Sequence, residues 1–189
     1  MRRSILLAAT LITAMAAAPA RADDVSDAIA AAQRAYQGGK VQDAQTALQE
    51  ALQLLAQRAA AALAAALPNA LPGWTAEEAT SNTSGMTGLF GGSTASRSYR
   101  NAQDQMVEIQ VMSDNPLIAQ LAAVMANPML AGAMGRLVRI GEQRAIQSND
   151  GNIQMLVDNR ILVQVQGDAP PEAKMAYARA INVARLSGR

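Results

Sequence analysis

The chain has no cysteine and no histidine, and only one phenylalanine, one tryptophan and two lysines among its 189 residues. Each scarcity removes a class of chemistry. Without cysteine there is no disulfide frame and no thiolate nucleophile. Without histidine there is no Ser-His-Asp triad, no ordinary zinc site and no His-ligated haem. Lys40 and Lys174 leave little scope for a Ser-Lys dyad, and the other basic residues are arginines, which stay protonated and cannot act as general bases. Glu77 and Glu78 would project to opposite sides of a strand, and Asp150 and Asp158 sit in turns where local backbone bonds occupy them. The chain therefore reads as non-enzymatic and without a cofactor.

What is present begins with an address. Arg2 and Arg3 precede an apolar run from Ile5 to Ala18, and Ala20-Arg21-Ala22 forms a small-x-small site before Asp23. This order is that of a secretory signal peptide, with an apolar core short of the roughly 20 residues of a membrane span. Cleavage after Ala22 and a periplasmic destination are expected, with no transmembrane segment in the mature chain. Losing Arg2, Arg3 and Arg21 turns 16 basic against 15 acidic residues into 13 against 15. A near-neutral chain without a basic stripe argues against a nucleic-acid partner.

The mature chain divides at 68–73, where Pro68, Pro72 and Gly73 form a linker. Residues 23–67 read as a helical hairpin turning at Gly38-Gly39. On its second helix Val41, Ala44, Leu48, Leu52, Leu55, Ala59, Leu63 and Leu67 follow the three-four spacing of one buried face. From Ala59 to Leu67 no polar side chain remains, so this end should lie against the following domain or meet a partner.

Residues 74–189 read as α+β: an antiparallel sheet of about five to six strands packed against helices, one of them C-terminal. Strands are expected at 74–80, 94–100, 105–113, 137–147, 153–157 and 160–166, and a helix at 116–126. A helical turn follows Asn127-Pro128, and a closing helix follows Pro170-Pro171. In that closing helix Ala173, Ala176, Tyr177, Ala180, Ile181 and Ala184 should face inward, with Glu172, Lys174, Arg179 and Arg185 outward.

Two resemblances follow from these patterns. The run Ala35-Tyr36-x-x-Gly39-x4-Ala44-x3-Leu48-x2-Ala51-Leu52 resembles one tetratricopeptide-like hairpin over residues 28–55, which implies protein–protein contact. The order strand, hairpin, helix, meander, helix over 71–189 resembles the Mog1/PsbP-like sandwich group, whose exported members serve mainly as accessory or assembly factors.

Three features are candidate sites. Met125, Met129 and Met134 cluster near one helical stretch; they either pack in a core poor in aromatics or offer thioethers to Cu(I). Met86, Leu89 and Phe90 ride a glycine-rich loop, either reaching for a partner or folding back over the sheet. Arg97, Arg100, Arg139, Arg144 and Arg160 fall in or beside strands; several converging on one face would make an anion site, and pairing with Glu108 or Glu142 is the ordinary outcome. The leading expectation is an exported accessory factor that binds another envelope protein. The alternative is a domain binding an apolar small molecule or lipid, with the sheet and the helix at 116–126 enclosing an apolar pocket under the loop at 85–92.

Overall fold

A computed structural model describes residues 23–82, 92–113 and 116–188. The expected signal segment and the loop residues Met86, Leu89 and Phe90 lie outside the described residues.

The chain starts with the helical hairpin, α1 (Asp24–Gln37) and α2 (Val41–Ala65). Asp23 caps α1 by accepting the Ser26 amide at 2.9 Å, and its other oxygen meets Arg58 at 3.1 Å, tying the start of α1 to the middle of α2. Gly39, at φ 72°, supplies the left-handed step between the helices.

Eight strands follow: β1 (Trp74–Ala76), β2 (Thr80–Asn82), β3 (Ser93–Asn101), β4 (Met106–Ser113), β5 (Arg136–Ile140), β6 (Gln143–Gln147), β7 (Ile153–Val157) and β8 (Ile161–Gln166). They form one antiparallel sheet in the order β1-β3-β4-β8-β7-β6-β5, with β2 also pairing β3. The count exceeds five to six because two expected strands are each divided. The 74–80 segment yields β1 and leads into β2 after Glu77-Glu78-Ala79, and 137–147 folds back on itself at Gly141-Glu142. Gly141 takes φ 60°, and Ile140 pairs directly with Gln143 across a two-residue turn. At the β7–β8 turn, Asp158 and Asn159 both take positive φ.

The helices cover both sheet faces. One face carries Ala95, Tyr99, Val107, Ile109, Val111, Ala145, Ile153, Met155, Val157, Val163 and Val165, and forms the main core with the end of α2, α5 (Pro171–Ala180) and α6 (Val183–Leu186). The opposite face is apolar only in part. Met112, Ile146, Leu156 and Leu162 lie under α3 (Pro116–Ala126) and α4 (Pro128–Met134), which add Ile118, Leu121, Met125 and Ala131. The rest of that face is polar, with Gln110 opposite Gln164 and Gln164 opposite Gln154.

The stretch 68–73 is part of the main packing unit. Leu67 is buried, and Leu71 and Trp74 pack on the core beside Tyr177. The Tyr99 hydroxyl donates to Pro68 O at 2.8 Å, and the Tyr177 hydroxyl accepts the Leu71 amide at 3.2 Å. Arg185 Nη1 donates to Ala65 O at 2.9 Å, and the Asn182 amide to Ala66 O at 3.2 Å. These donors satisfy carbonyls that every helix end leaves open.

Candidate functional site

Within the hairpin, α1 packs chiefly on α2, and the seam is built of small residues. Val25, Ala28 and Ala32 of α1 are buried with Ala44 and Ala51 of α2, so the two helices approach closely. From Ala56 onward α2 lies over the sheet. Ser93 Oγ donates to Ala56 O at 3.3 Å, Ala60 is buried, and Leu63, Ala66 and Leu67 enter the main core.

This corrects the expected buried face of α2. Ala44, Leu63 and Leu67 are buried as expected, but Val41, Leu48, Leu52, Leu55 and Ala59 are exposed. Two separate sides are buried instead: Ala44 and Ala51 on the side toward α1, and Ala60 and Leu63 in the last turns, where α2 lies over the sheet. Val41, Leu48, Leu52 and Leu55 recur at a three-and-four interval that forms its own stripe on the outside. Leu52 is 65% exposed, and Ile29 and Tyr36 of α1 are exposed as well, Tyr36 at 71%. Ile29, Ala32, Gln33, Tyr36, Ala44 and Leu48 line a shallow apolar hollow of about 240 Å³ between the helices. Beside the stripe, Gln42, Gln45, Gln49 and Gln53 are neutral.

A helix carrying two apolar faces has room for two partners. Helix α1 covers one side of α2, and the sheet covers another side only at its last turns. The stripe is an uncovered ridge-and-groove surface suited to an amphipathic helix laid along it, read by anchors one turn apart. No charged side chain sits in the stripe itself.

The methionines separate. Met125 is buried in the second core, whereas Met129 is 84% exposed and Met134 is exposed too. A common place in the core among Leu121, Leu130 and Leu137 is therefore not observed. Asn127 and Pro128 are the cause: the Asn127 side chain accepts the Met129 amide at 3.0 Å and starts α4 in a new direction, with Ala131 as its buried contact. Among the described residues, no group of three His, Cys, Asp or Glu side chains is placed to hold a metal ion.

The arginines also take different partners. Arg97 donates to Glu77 O at 2.7 Å and Pro68 O at 3.3 Å, its guanidinium 5.9 Å from the Tyr99 ring centre. Arg100 pairs with Asp104 at 2.9 Å. Arg139 and Arg144 stand directly opposite each other on β5 and β6, and among the described residues neither has an ion-pair partner. They border an open hollow of about 210 Å³ with Met125, Leu156, Glu142 and Asp158.

Lys174 overturns its expected outward position. It is 2% exposed, and its ammonium donates to Asp150 O at 2.6 Å, Asn152 Oδ1 at 2.9 Å and Gly167 O at 2.9 Å. Burial pushes it below its ordinary value, with Asp150 and Asp168 pulling the other way. Three acceptors for three N–H groups mark a structural tie rather than a reactive amine. In the same region Ala176 and Ala184 are exposed, and Ala178 is buried in their place.

Comparison with family models, curated proteins and solved structures finds no match for this chain, so its chemistry rests on the residues themselves.

Proposed function

We propose that this chain is an exported, non-enzymatic accessory factor of the cell envelope that holds another envelope protein through its helical hairpin. The observation that carries the reading is the outward leucine stripe of α2, continued by Ile29 and Tyr36 on α1. Contiguous exposed apolar surface of this kind marks interaction sites in monomeric proteins. The order of residues 1–22, the missing catalytic residue types and the resemblance of 71–189 to the Mog1/PsbP-like group support the same reading. For the small-molecule alternative the structure offers less. The hollow at the margin of α3 is open and lined by Arg139, Glu142, Arg144 and Asp158 beside Met125 and Leu156, a mixed rather than an apolar lining. Residues 85–91 of the loop expected to cover the pocket lie outside the described residues.

Removing the hairpin outright would be a poor test, because Leu63, Ala66 and Leu67 belong to the main core. A photo-crosslinking amino acid in place of Leu52, in cells of the native host, leaves the fold intact. The reading predicts a discrete adduct with one envelope protein that disappears when Tyr36→Ser and Leu48→Ser are added. An adduct pattern indifferent to those two changes contradicts it.

A further inference from the structure

A second exposed apolar surface lies on the opposite sheet face, away from the hairpin. From Asn115 to Gly141 the chain carries no acidic residue and only two charges, Arg136 and Arg139. Helices α3 and α4 use Ile118, Leu121, Met125 and Ala131 to pack on the sheet. What remains outward is Met129, Leu130 and Met134, followed on β5 by Leu137, all exposed. Leu137 pairs with Ile146, so it shares the sheet face that α3 and α4 cover. Arg139 lies two residues on, on the same face, opposite Arg144.

We propose that this ridge seats on the surface of a bilayer containing anionic phospholipid. Met129, Leu130, Met134 and Leu137 enter the acyl boundary, and Arg139 and Arg144 meet headgroup phosphates. The helices have 11 and 7 residues, too short to span a bilayer that needs roughly 20, so they lie in its plane. The occupant follows from charge. Two guanidiniums without ion-pair partners among the described residues stand beside an apolar patch whose own segment holds no carboxylate to repel phosphate. Glu142 and Asp158 border the same hollow as the arginines and temper its charge. The attraction is therefore moderate, and the apolar ridge supplies the rest. The ridge offers flexible thioethers and aliphatic chains without an aromatic or hydrogen-bonding anchor, which suits a fluid interface better than a shaped protein pocket.

Vesicle flotation tests this with the full chain and its variants side by side, so that any contribution from residues 1–22 is common to all. The vesicles are mixed phosphatidylglycerol–phosphatidylcholine or phosphatidylcholine alone. The chain is expected to float with the anionic vesicles and to bind neutral ones roughly tenfold more weakly. Met129→Ser with Leu130→Ser should lower binding by about tenfold or more on the anionic vesicles. Arg139→Gln with Arg144→Gln should remove the preference between the two vesicle types. Both pairs of changes are at exposed positions, so thermal melts should coincide with the parent, and Leu52→Ser on the hairpin should bind as the parent does. Equal binding by the parent and the Met129→Ser/Leu130→Ser variant overturns the proposal. So does a parent chain that floats with neither vesicle, which would hand the ridge to a protein partner.

Discussion

The side chain most at odds with its own chemistry is Lys174. A lysine buried to 2% exposure is uncommon, because taking an ammonium out of water costs several kcal/mol unless it is fully hydrogen-bonded. Here the ammonium reaches Asp150 O, Asn152 Oδ1 and Gly167 O, binding the β6–β7 turn and the end of β8 to α5. Replacing Lys174 with Met keeps the packing volume and leaves those acceptors unpaired. The expected loss is about 2–4 kcal/mol of unfolding free energy by urea titration. A variant as stable as the parent would show the tie to be dispensable. Nothing in the sequence marks this lysine. It sits among alanines on a helix whose period suits an outward charge, and its partners are two backbone carbonyls and one amide with no charge signature.

Among the elements, the joint between α2 and the sheet decides how the hairpin is held. Tyr99 and Tyr177 pack ring to ring at 4.3 Å, Trp74 meets Tyr177 edge-on at 5.4 Å, and both hydroxyls bond the backbone of 68–71. Burial pushes both phenols above their ordinary value of 10.0, Tyr99 the further. In each case the folded value lies above the unfolded one, so the folded state holds the proton longer. Their stabilisation is complete below the unfolded value and is lost as pH rises beyond it. Lys174 is depressed and works in the opposite sense, but only up to its own ordinary value of 10.5. Above that pH the phenols act alone, and stability should fall by up to about 1.4 kcal/mol per pH unit for each. In a Tyr36→Phe background, where only these two phenols report, tyrosinate absorbance should rise in one step with unfolding. Absorbance that rises while the fold persists would show that the phenols are open to water.

Much of the element plan is legible in the sequence, and its failures are instructive. The helix boundaries near Gln37, Val41 and Pro116 and the alternation of β4, β7 and β8 follow from glycine, proline and period-two patterning. The fold-back at Gly141-Glu142 is hidden because Leu137 to Gln147 contains enough β-branched and apolar residues to pass for one strand. The facing of α2 is hidden for a different reason. Period alone shows that apolar residues recur, and the larger ones are naturally assigned to the inside. Close packing against α1 selects alanine there, so Leu48, Leu52 and Leu55 are displaced to the outside. The candidate interface is thus written in the sequence as a stripe, with its direction readable only once α1 is in place.

At the scale of the whole molecule, the architecture is three layers with a hairpin fixed to one of them. Two core clusters fill the two sides of a single sheet, and α2 belongs to the first of these through its last turns. The remaining length of α2, with α1 on its flank, carries apolar side chains that neither cluster uses. The leucines of a single helix thus fall into two populations, those buried in the fold and those left exposed. Leu63 and Leu52 represent them, separated by three turns of α2 and by exposures of 5% and 65%. Equilibrium urea unfolding of Leu63→Ala and Leu52→Ala compares the same truncation at both places. The account predicts a loss of about 2–5 kcal/mol for Leu63→Ala, as for buried leucines elsewhere, and under about 1 kcal/mol for Leu52→Ala. Equal losses, or the larger loss at Leu52, would place the stripe in the core and contradict the account.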